Sequence, residues 1–363
     1  MKKTHTRVGY SIHTIALLAL AVIMQACSDG PGVDAIQYDV VFMGGRVIDP
    51  ESGYDQLANI AISGNKIAAI SKLPLIGIDS IDASGLVISP GFIDLHSHAL
   101  SRLGQQLQAM DGVTTALELE AGVYPIDALS QIMNSGSVIN YGASTGHLAI
   151  RQRVIESIIK PHISSVTKQL PPEPGSKSTK KPAAQKNAAF IQVATEQQLS
   201  AMQAHLQQGI ADGGLGIGLL LDYLTGAVDA DELDMIFQVA SAAAVPVFVH
   251  IRRGLPGDPA GLEDVINLAK KHQTSVHVCH LNASAMGSIQ HFLDLIVSAQ
   301  AQGLDITAEA YPYNAGSTSI SAAVFNRDWQ SIFGITYKDV EWAATGERFT
   351  KSLWDDYRQR FPE

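Results

Sequence analysis

The chain has 363 residues, of which 46% are apolar and 17% charged. That composition supports a sizeable core and excludes global disorder, and a single α/β barrel would use most of the length. The formal net charge of −10 excludes nucleic acid as a partner, because phosphate recognition needs basic patches.

The N-terminus reads as a targeting segment. Lys2, Lys3 and Arg7 form a positive region, and the apolar run from Ile15 to Met24 is too short to span a bilayer. Met24-Gln25-Ala26-Cys27 resembles a bacterial lipoprotein cleavage box. Residues 1–26 are therefore expected to be a lipoprotein-type signal peptide, with a lipid on Cys27 as the only membrane contact. Ser28 after that cysteine favours the outer membrane, so a periplasmic, cell-envelope location is expected. Cys279 is the one other cysteine, which leaves no disulfide framework.

Residues 27–37 read as a tether, and 38–84 as a small β module. Its short β-type runs, 39–42, 45–49, 59–62 and 66–70, are separated by Gly-Gly, Ser-Gly and Gly-Asn pairs, as in an antiparallel sheet. From residue 85 apolar runs alternate with helical stretches, the pattern of parallel βα units. Strands are expected at 87–96, 113–119, 137–141, 214–220, 245–250, 275–280 and 304–310. Helices are expected at 195–208, 231–244, 261–271 and 289–302. Residues 164–187 break the pattern with Pro171, Pro172, Pro174, Pro182 and five lysines, as expected of a disordered surface insertion.

Pro90-Gly91-Phe92-Ile93-Asp94-Leu95-His96-Ser97-His98 ends the first of those strands. Alternate side chains of a strand share a face, so His96 and His98 point the same way and can hold one divalent ion such as Zn²⁺. Two later strands also end in histidine, at His250 and His280. Alternation places Val276, Val278 and His280 on one face, which makes His280 the ligand candidate. His277 and Cys279 would then face the helices. The second strand carries Glu118 and Glu120 among apolar residues. Buried carboxylates are costly unless paired or metal-bound. Both share a parity, and Glu120 lies nearer the strand's end.

Together with Gly112-Val113-Thr114-Thr115, Asp222-Tyr223-Leu224-Thr225-Gly226-Ala227 and Glu309-Ala310-Tyr311-Pro312-Tyr313-Asn314-Ala315-Gly316-Ser317-Thr318, these residues resemble the N-acyl-D-amino-acid deacylase (D-aminoacylase) branch of the amidohydrolase superfamily. The resemblance covers residues 38 to about 330. It implies an α/β fold, a metal-dependent hydrolase (β/α)8, TIM-like barrel. It implies one or two Zn²⁺ or similar divalent ions held by His96, His98, Glu120, His250 and His280, and a small N-acylated amino acid or dipeptide as substrate. Several such barrels bridge two ions with a carboxylated lysine on the fourth strand. Here residues 214–220 contain no lysine, and Glu120 is the bridge candidate, beside Ala121 where relatives often carry a ligand cysteine. Tyr223, Tyr311 and Ser317 match substrate-contacting positions, and Asn282 stands where relatives can carry a lysine. Asn140–Ser144 and Gly146-His147 are similar to enzymes acting on N-acyl-D-glutamate. Arg252, straight after His250 and Ile251, is a further candidate for an anionic substrate, and His147 and Arg151 are candidates for the mouth.

The resemblance also implies a proton-moving aspartate closing an eighth strand and a return to the β module. Only seven parallel strands are legible. Asp328, Asp339, Asp355 and Asp356 all lie in polar or helical contexts. The expectation is a barrel incomplete at its C-terminal end, in a chain whose catalytic aspartate lies beyond Glu363. The alternatives are a cyclic-amide hydrolase of the dihydroorotase type and a truncated, inactive lipoprotein that binds metal or ligand.

Overall fold

A computed structural model describes residues 37–133, 136–157 and 188–361. The leader, Cys27, the tether apart from Gln37, and the Pro/Lys-rich stretch at 164–187 lie outside the described residues. Among the described residues no helix is long and apolar enough to cross a membrane. The chain divides into two units, Met1–Pro90 and Gly91–Glu363.

The first unit is a five-stranded sheet built on β1 (Gln37–Asp49). The strands β2 (Tyr54–Ser63) and β3 (Lys66–Ser71) follow it in antiparallel order. The expected all-antiparallel module is corrected at its other edge. There β4 (Ile76–Asp82) and β5 (Val87–Ile88) both lie parallel to β1. Between them Ala83 N–H donates to the Met43 carbonyl at 2.8 Å, and Arg46 N–H donates to Leu86 at 2.9 Å, so the chain steps along one edge of β1. Apolar side chains mark β4 poorly, because Ile76 and Ile78 share one face, Ile81 falls on the other, and all three are exposed. A bulge between Phe42 and Gly45 bends β1. Gly44 there takes φ +71° and donates its N–H to Asn59 Oδ1 at 2.9 Å.

The strand expected at 87–96 is split at this boundary. Val87 and Ile88 pair with β1, and the second unit begins with β6 (Phe92–Asp94). Six more strands follow: β7 (Val113–Val123), β8 (Asn140–Gly146), β9 (Ile217–Leu220), β10 (Val247–His250), β11 (Val276–Val278) and β12 (Ile306–Ala308). They pair in chain order into one parallel, curled seven-stranded sheet, a half-barrel with β6 and β12 at its edges. The four helices expected from apolar periodicity form at Glu196–Ala211, Ala230–Ala243, Ala260–His272 and Ile289–Ala301. The first starts with a capping box, Thr195 accepting from the Gln198 N–H while the Gln198 side chain answers the Thr195 N–H.

The main core lies between these helices and the outer face of the sheet. It includes Ile217, Leu219, Val247, Val249, Val276 and Val278. Burying each such side chain contributes about 1.5–3 kcal/mol. On the opposite face Leu119, Phe248 and Cys279 form a separate inner cluster. This reverses the expected sidedness of β11. Val276 and Val278 meet the helices, whereas His277 and Cys279 face inward. His280 still reaches the inner side because strand geometry has ended there; it takes φ +31° and caps the short helix Leu281–Ala285. Left-handed backbone breaks the alternation on which the sequence argument rested.

Two helices do not bury an apolar stripe. In Arg102–Met110 the apolar Leu103, Leu107 and Met110 are exposed, while Gln105 is buried. In His147–Glu156 residues 147–152 are all buried, His147, Arg151 and Gln152 included. After β12 the chain forms a compact aromatic cluster, with Trp329, Phe349, Trp354 and Tyr357 at its centre. The acids in it are locally committed. Asp328 caps the helix Trp329–Phe333, Asp339 accepts from Thr336, and Asp355 and Asp356 pair with Lys351 and Arg360.

Candidate metal centre

The ends of β6, β7, β10 and β11 bring His96, His98, Glu120, His250 and His280 together. Past β6 the chain leaves regular strand geometry. The Ser97 N–H still donates to the Leu117 carbonyl at 2.9 Å, while Asp94 Oδ1 accepts from the His96 N–H at 3.0 Å. Asp94 Oδ2 in turn accepts from Gln108 at 3.1 Å. Asp94 thus fixes the turn that aims His96.

Glu120 is delivered by an irregularity in β7. Between the pairs Glu118↔Ala143 and Val123↔Thr145, β7 advances five residues while β8 advances two. Gly122 permits this with φ +65° and with a backbone approach so close that a Cβ would lie 2.6 Å from the Gly146 nitrogen.

The Glu120 carboxylate, 5% exposed, divides the histidines into two pairs. Its Oε2 lies 3.1 Å from His96 Nε2 and 3.3 Å from His98 Nε2. Its Oε1 lies 2.8 Å from His250 Nδ1 and 2.7 Å from His280 Nε2. Within each pair the facing nitrogens are 3.2 Å and 3.1 Å apart. Each triad, His96–His98–Glu120 and Glu120–His250–His280, has its donor atoms within 4.8 Å of one another and can hold a metal ion. Ligands at about 2.0–2.1 Å around a tetrahedral zinc stand about 3.3–3.4 Å apart, close to these separations. The residues therefore fit a divalent cation on either side of Glu120.

Two further carboxylates set the imidazole tautomers. Glu309 Oε1 lies 2.5 Å from His96 Nδ1, and Glu118 Oε2 lies 2.7 Å from His98 Nδ1. Each acid accepts a hydrogen bond from Nδ1–H, which keeps the proton on that nitrogen and leaves the Nε2 lone pair free for a cation, the usual outer arrangement of a metal-binding histidine. Glu309 is steadied by His277 at 3.3 Å, and His277 by Thr307 at 2.8 Å. Three of the four imidazoles are shifted towards the charged form, while burial holds His280 down despite Glu120, with His250 and His96 adding to the shift. Burial would lower the His96 pKa, but Glu120 and Glu309 override it and lift it to about 10. His98 is likewise lifted to about 10 by Glu118 and Glu120 against its burial. Burial opposes ionisation of Glu309, yet His277 and His96 hold its pKa down to about 2. Four imidazoles keep Glu120 well below the usual carboxylate range despite its burial. The cage calls for positive charge.

The remaining candidates divide. Tyr223 stands over the centre, its ring 5.1 Å from that of His250 and its hydroxyl 3.0 Å from Thr318 Oγ1. Asn282 exchanges hydrogen bonds with the Tyr311 backbone, at 3.1 and 3.4 Å, and so shapes the loop. Tyr311 stacks on Tyr313, and Ser317 is exposed. The structure does not bring Arg252 to the histidines. Its guanidinium donates to the Val228 carbonyl at 2.6 Å and lies 4.0 Å from Asp264. Nor do His147 and Arg151 line the mouth; both are fully buried against Glu232. Two carboxylates that were not among the sequence candidates, Glu309 and Asp222, also reach the site, and they head the motifs at 309–318 and 222–227. A carboxylate directly after an apolar strand was the available signal for each.

A profile described as "Amidohydrolase family" matches residues 87–320, and the chain belongs to that family. It is 24% identical over 322 residues to a D-aminoacylase of Alcaligenes xylosoxydans xylosoxydans, covering 79% of this chain and 60% of the relative. It is 27% identical over 299 residues to an N-acyl-D-glutamate deacylase of the same organism, covering 77% and 58%. A dihydroorotase of Geobacter metallireducens matches at 25% over 285 residues, covering 76% and 61%. Among solved structures, an N-acyl-D-glutamate deacylase from Bordetella bronchiseptica, complexed with zinc and a phosphonate inhibitor, superposes with a TM-score of 0.59 at 22% identity. It covers 77% of this chain and 59% of that one, and the likeness shows a shared fold. The chain spans about 60% of the length of these relatives.

Proposed function

We propose that this chain carries the metal centre of a hydrolase for linear amides, with an N-acyl-D-amino acid, N-acyl-D-glutamate among them, as substrate. The observation that carries the reading is Glu120, whose two oxygens each face a separate pair of imidazoles. His96 and His98 with one oxygen, and His250 and His280 with the other, would hold two divalent ions. A bound Zn²⁺ would lower the pKa of a water and polarise the amide carbonyl. Glu309 and Glu118 keep His96 and His98 in the tautomer that presents Nε2. Tyr223 offers a hydroxyl beside His250, and the loop bearing Tyr311 and Ser317, held by Asn282, forms the wall on which the substrate would be oriented. Asp328, Asp339, Asp355 and Asp356 are engaged in caps and surface pairs, so none of them is assigned to move the proton.

The relatives named D-aminoacylase and N-acyl-D-glutamate deacylase support the linear-amide reading, and the dihydroorotase match supports a cyclic-amide hydrolase instead. Assay of the zinc-loaded chain against N-acetyl-D-amino acids, their L-isomers and dihydroorotate separates them. Hydrolysis of D-isomers is expected. Turnover of dihydroorotate alone would replace the proposal, and bound metal without any turnover would leave a binding protein. The box around Cys27 supports a lipid-anchored envelope location; palmitate labelling that disappears in Cys27→Ala is the expected result.

A further inference from the structure

His96 and His98 each have a carboxylate on the nitrogen turned away from Glu120. For His250 that nitrogen is Nε2, and the acid facing it is Asp222 Oδ2, at 3.8 Å. Both atoms are buried and without a hydrogen-bond partner. Leaving two complementary polar atoms unsatisfied inside a protein is costly, and a small shift would pair them. Asp222 itself, 2% exposed, is held in place with care. Arg327 Nη2 donates to its Oδ1 at 2.5 Å, the Arg253 N–H donates to the same oxygen at 3.0 Å, and Arg253 Nε stands 3.9 Å from Oδ2. Arg327 is tied further to the Thr225 hydroxyl and the Arg253 carbonyl, both at 3.4 Å. The Arg253 guanidinium lies over the Phe333 ring, 5.1 Å from its centre.

Arg327 and Phe333 belong to the aromatic segment that follows residue 320, where the family match ends. Arg327 and the Arg253 N–H occupy Oδ1, which leaves Oδ2 to two buried donors that lack another partner, His250 Nε2 at 3.8 Å and Arg253 Nε at 3.9 Å. We propose that Asp222 is the positioning residue for His250, aiming its Nδ1 at the cation site of the Glu120–His250–His280 triad, and that Arg327 makes the aromatic segment a structural part of that site. The proposal rests on the two-ion reading above. It assigns to the third ligand histidine the carboxylate that Glu309 and Glu118 provide for the first two. An outer carboxylate of this kind is worth about 10–100-fold in metal affinity.

The test is a Co²⁺ titration of the metal-free full chain followed by its visible absorption, with no reliance on turnover. The wild type is expected to bind two ions, and His280→Asn to lose one of them. Asp222→Asn should weaken that same ion about 10–100-fold and leave the other unchanged, and Asp222→Glu should restore part of the loss. Arg327→Gln should weaken the same ion by less, and it replaces Asp222→Asn as the deciding variant if the latter does not fold. Folded Asp222→Asn binding both ions as the wild type does would overturn the proposal and leave the two-ion reading standing. A wild-type chain that binds no Co²⁺ would overturn both.

Discussion

Two buried glutamates in this molecule solve one electrostatic problem in opposite ways. Glu232 sits at the start of the helix Ala230–Ala243, with side chains of 0% exposure around it. His147 Nε2 lies 2.7 Å from one of its oxygens, and Arg151 pairs with the other. Arg151 spends its remaining donors on the carbonyls of Ala189, Gln192 and Ala227. A guanidinium is always charged, so this acid carries its own counterion and the cluster closes on itself. Glu120 is nearly as deeply set, yet among the described residues the hydrogen-bond and ion-pair partners of its carboxylate side chain are four imidazoles, with no lysine or arginine. An imidazole is charged only when protonated, so the counterion here is conditional, and a divalent ion competes with protons for the same nitrogens. A fixed counterion makes a buried acid part of the architecture. A conditional one makes it a site.

The sharpest way to break this contrast is to remove the two carboxylates in turn. Glu120→Gln should lose metal affinity and turnover by more than about 100-fold, the upper range for an outer-shell partner, since Glu120 serves both triads directly. The fold should persist; metal content and circular dichroism together check this, and full metal retention would remove Glu120 from the centre. Glu232→Gln should do the reverse. It leaves Arg151 charged and buried without its acid, which costs about 3–5 kcal/mol, while folded protein keeps its metal stoichiometry. Denaturant unfolding of metal-free protein measures the cost.

Acid sharpens the contrast with a smaller effect. Burial opposes ionisation of Glu232, but His147 and Arg151 hold its pKa below the ordinary value of 4.5. A depressed carboxylate pKa contributes stability that is present above the unfolded value and is lost as pH falls through the folded one. The stability gap between wild type and Glu232→Gln should therefore be widest near neutral pH and shrink below 4.5. A gap that stayed constant from neutral pH down to acid unfolding would show that the glutamate is not acting through its charge.

How much of this was legible in the sequence depends on whether periodicity carried it. The seven parallel strands and four amphipathic helices were readable because apolar side chains repeat at the period of the element. The His-x-His pair and the strand-end His250 were readable for the same reason. Glu120 was visible as a carboxylate in an apolar strand, but the β7 irregularity that delivers it has no signature beyond Gly122. The helix His147–Glu156 was not legible, because its inward face holds His147 and Arg151 for Glu232, a residue 81 positions from Arg151. Sidedness failed in β11, where His280 leaves strand geometry and reaches the cluster by a backbone turn. Local pattern records what each element buries. It does not record a partner supplied from another part of the chain.

Arg252 shows the same limit and gives the smallest effect. Its position two residues after His250 suggested a cation for an anionic substrate, and side-chain type and spacing allowed nothing better. In the fold that guanidinium is engaged by the Val228 carbonyl and approaches Asp264 on the helix Ala260–His272. Burial lowers its pKa while Asp264 and Asp222 oppose the shift. Arg252→Met keeps most of the aliphatic stem and removes one hydrogen bond, so a stability loss of about 1 kcal/mol is expected. KM for the best substrate should stay within about 2-fold, because a charge-assisted contact with substrate would be worth about 1.5–3 kcal/mol and its loss would raise KM more than about 10-fold. A rise of that size, with stability unchanged, would return Arg252 to the mouth and show that the loop after β10 rearranges when substrate binds.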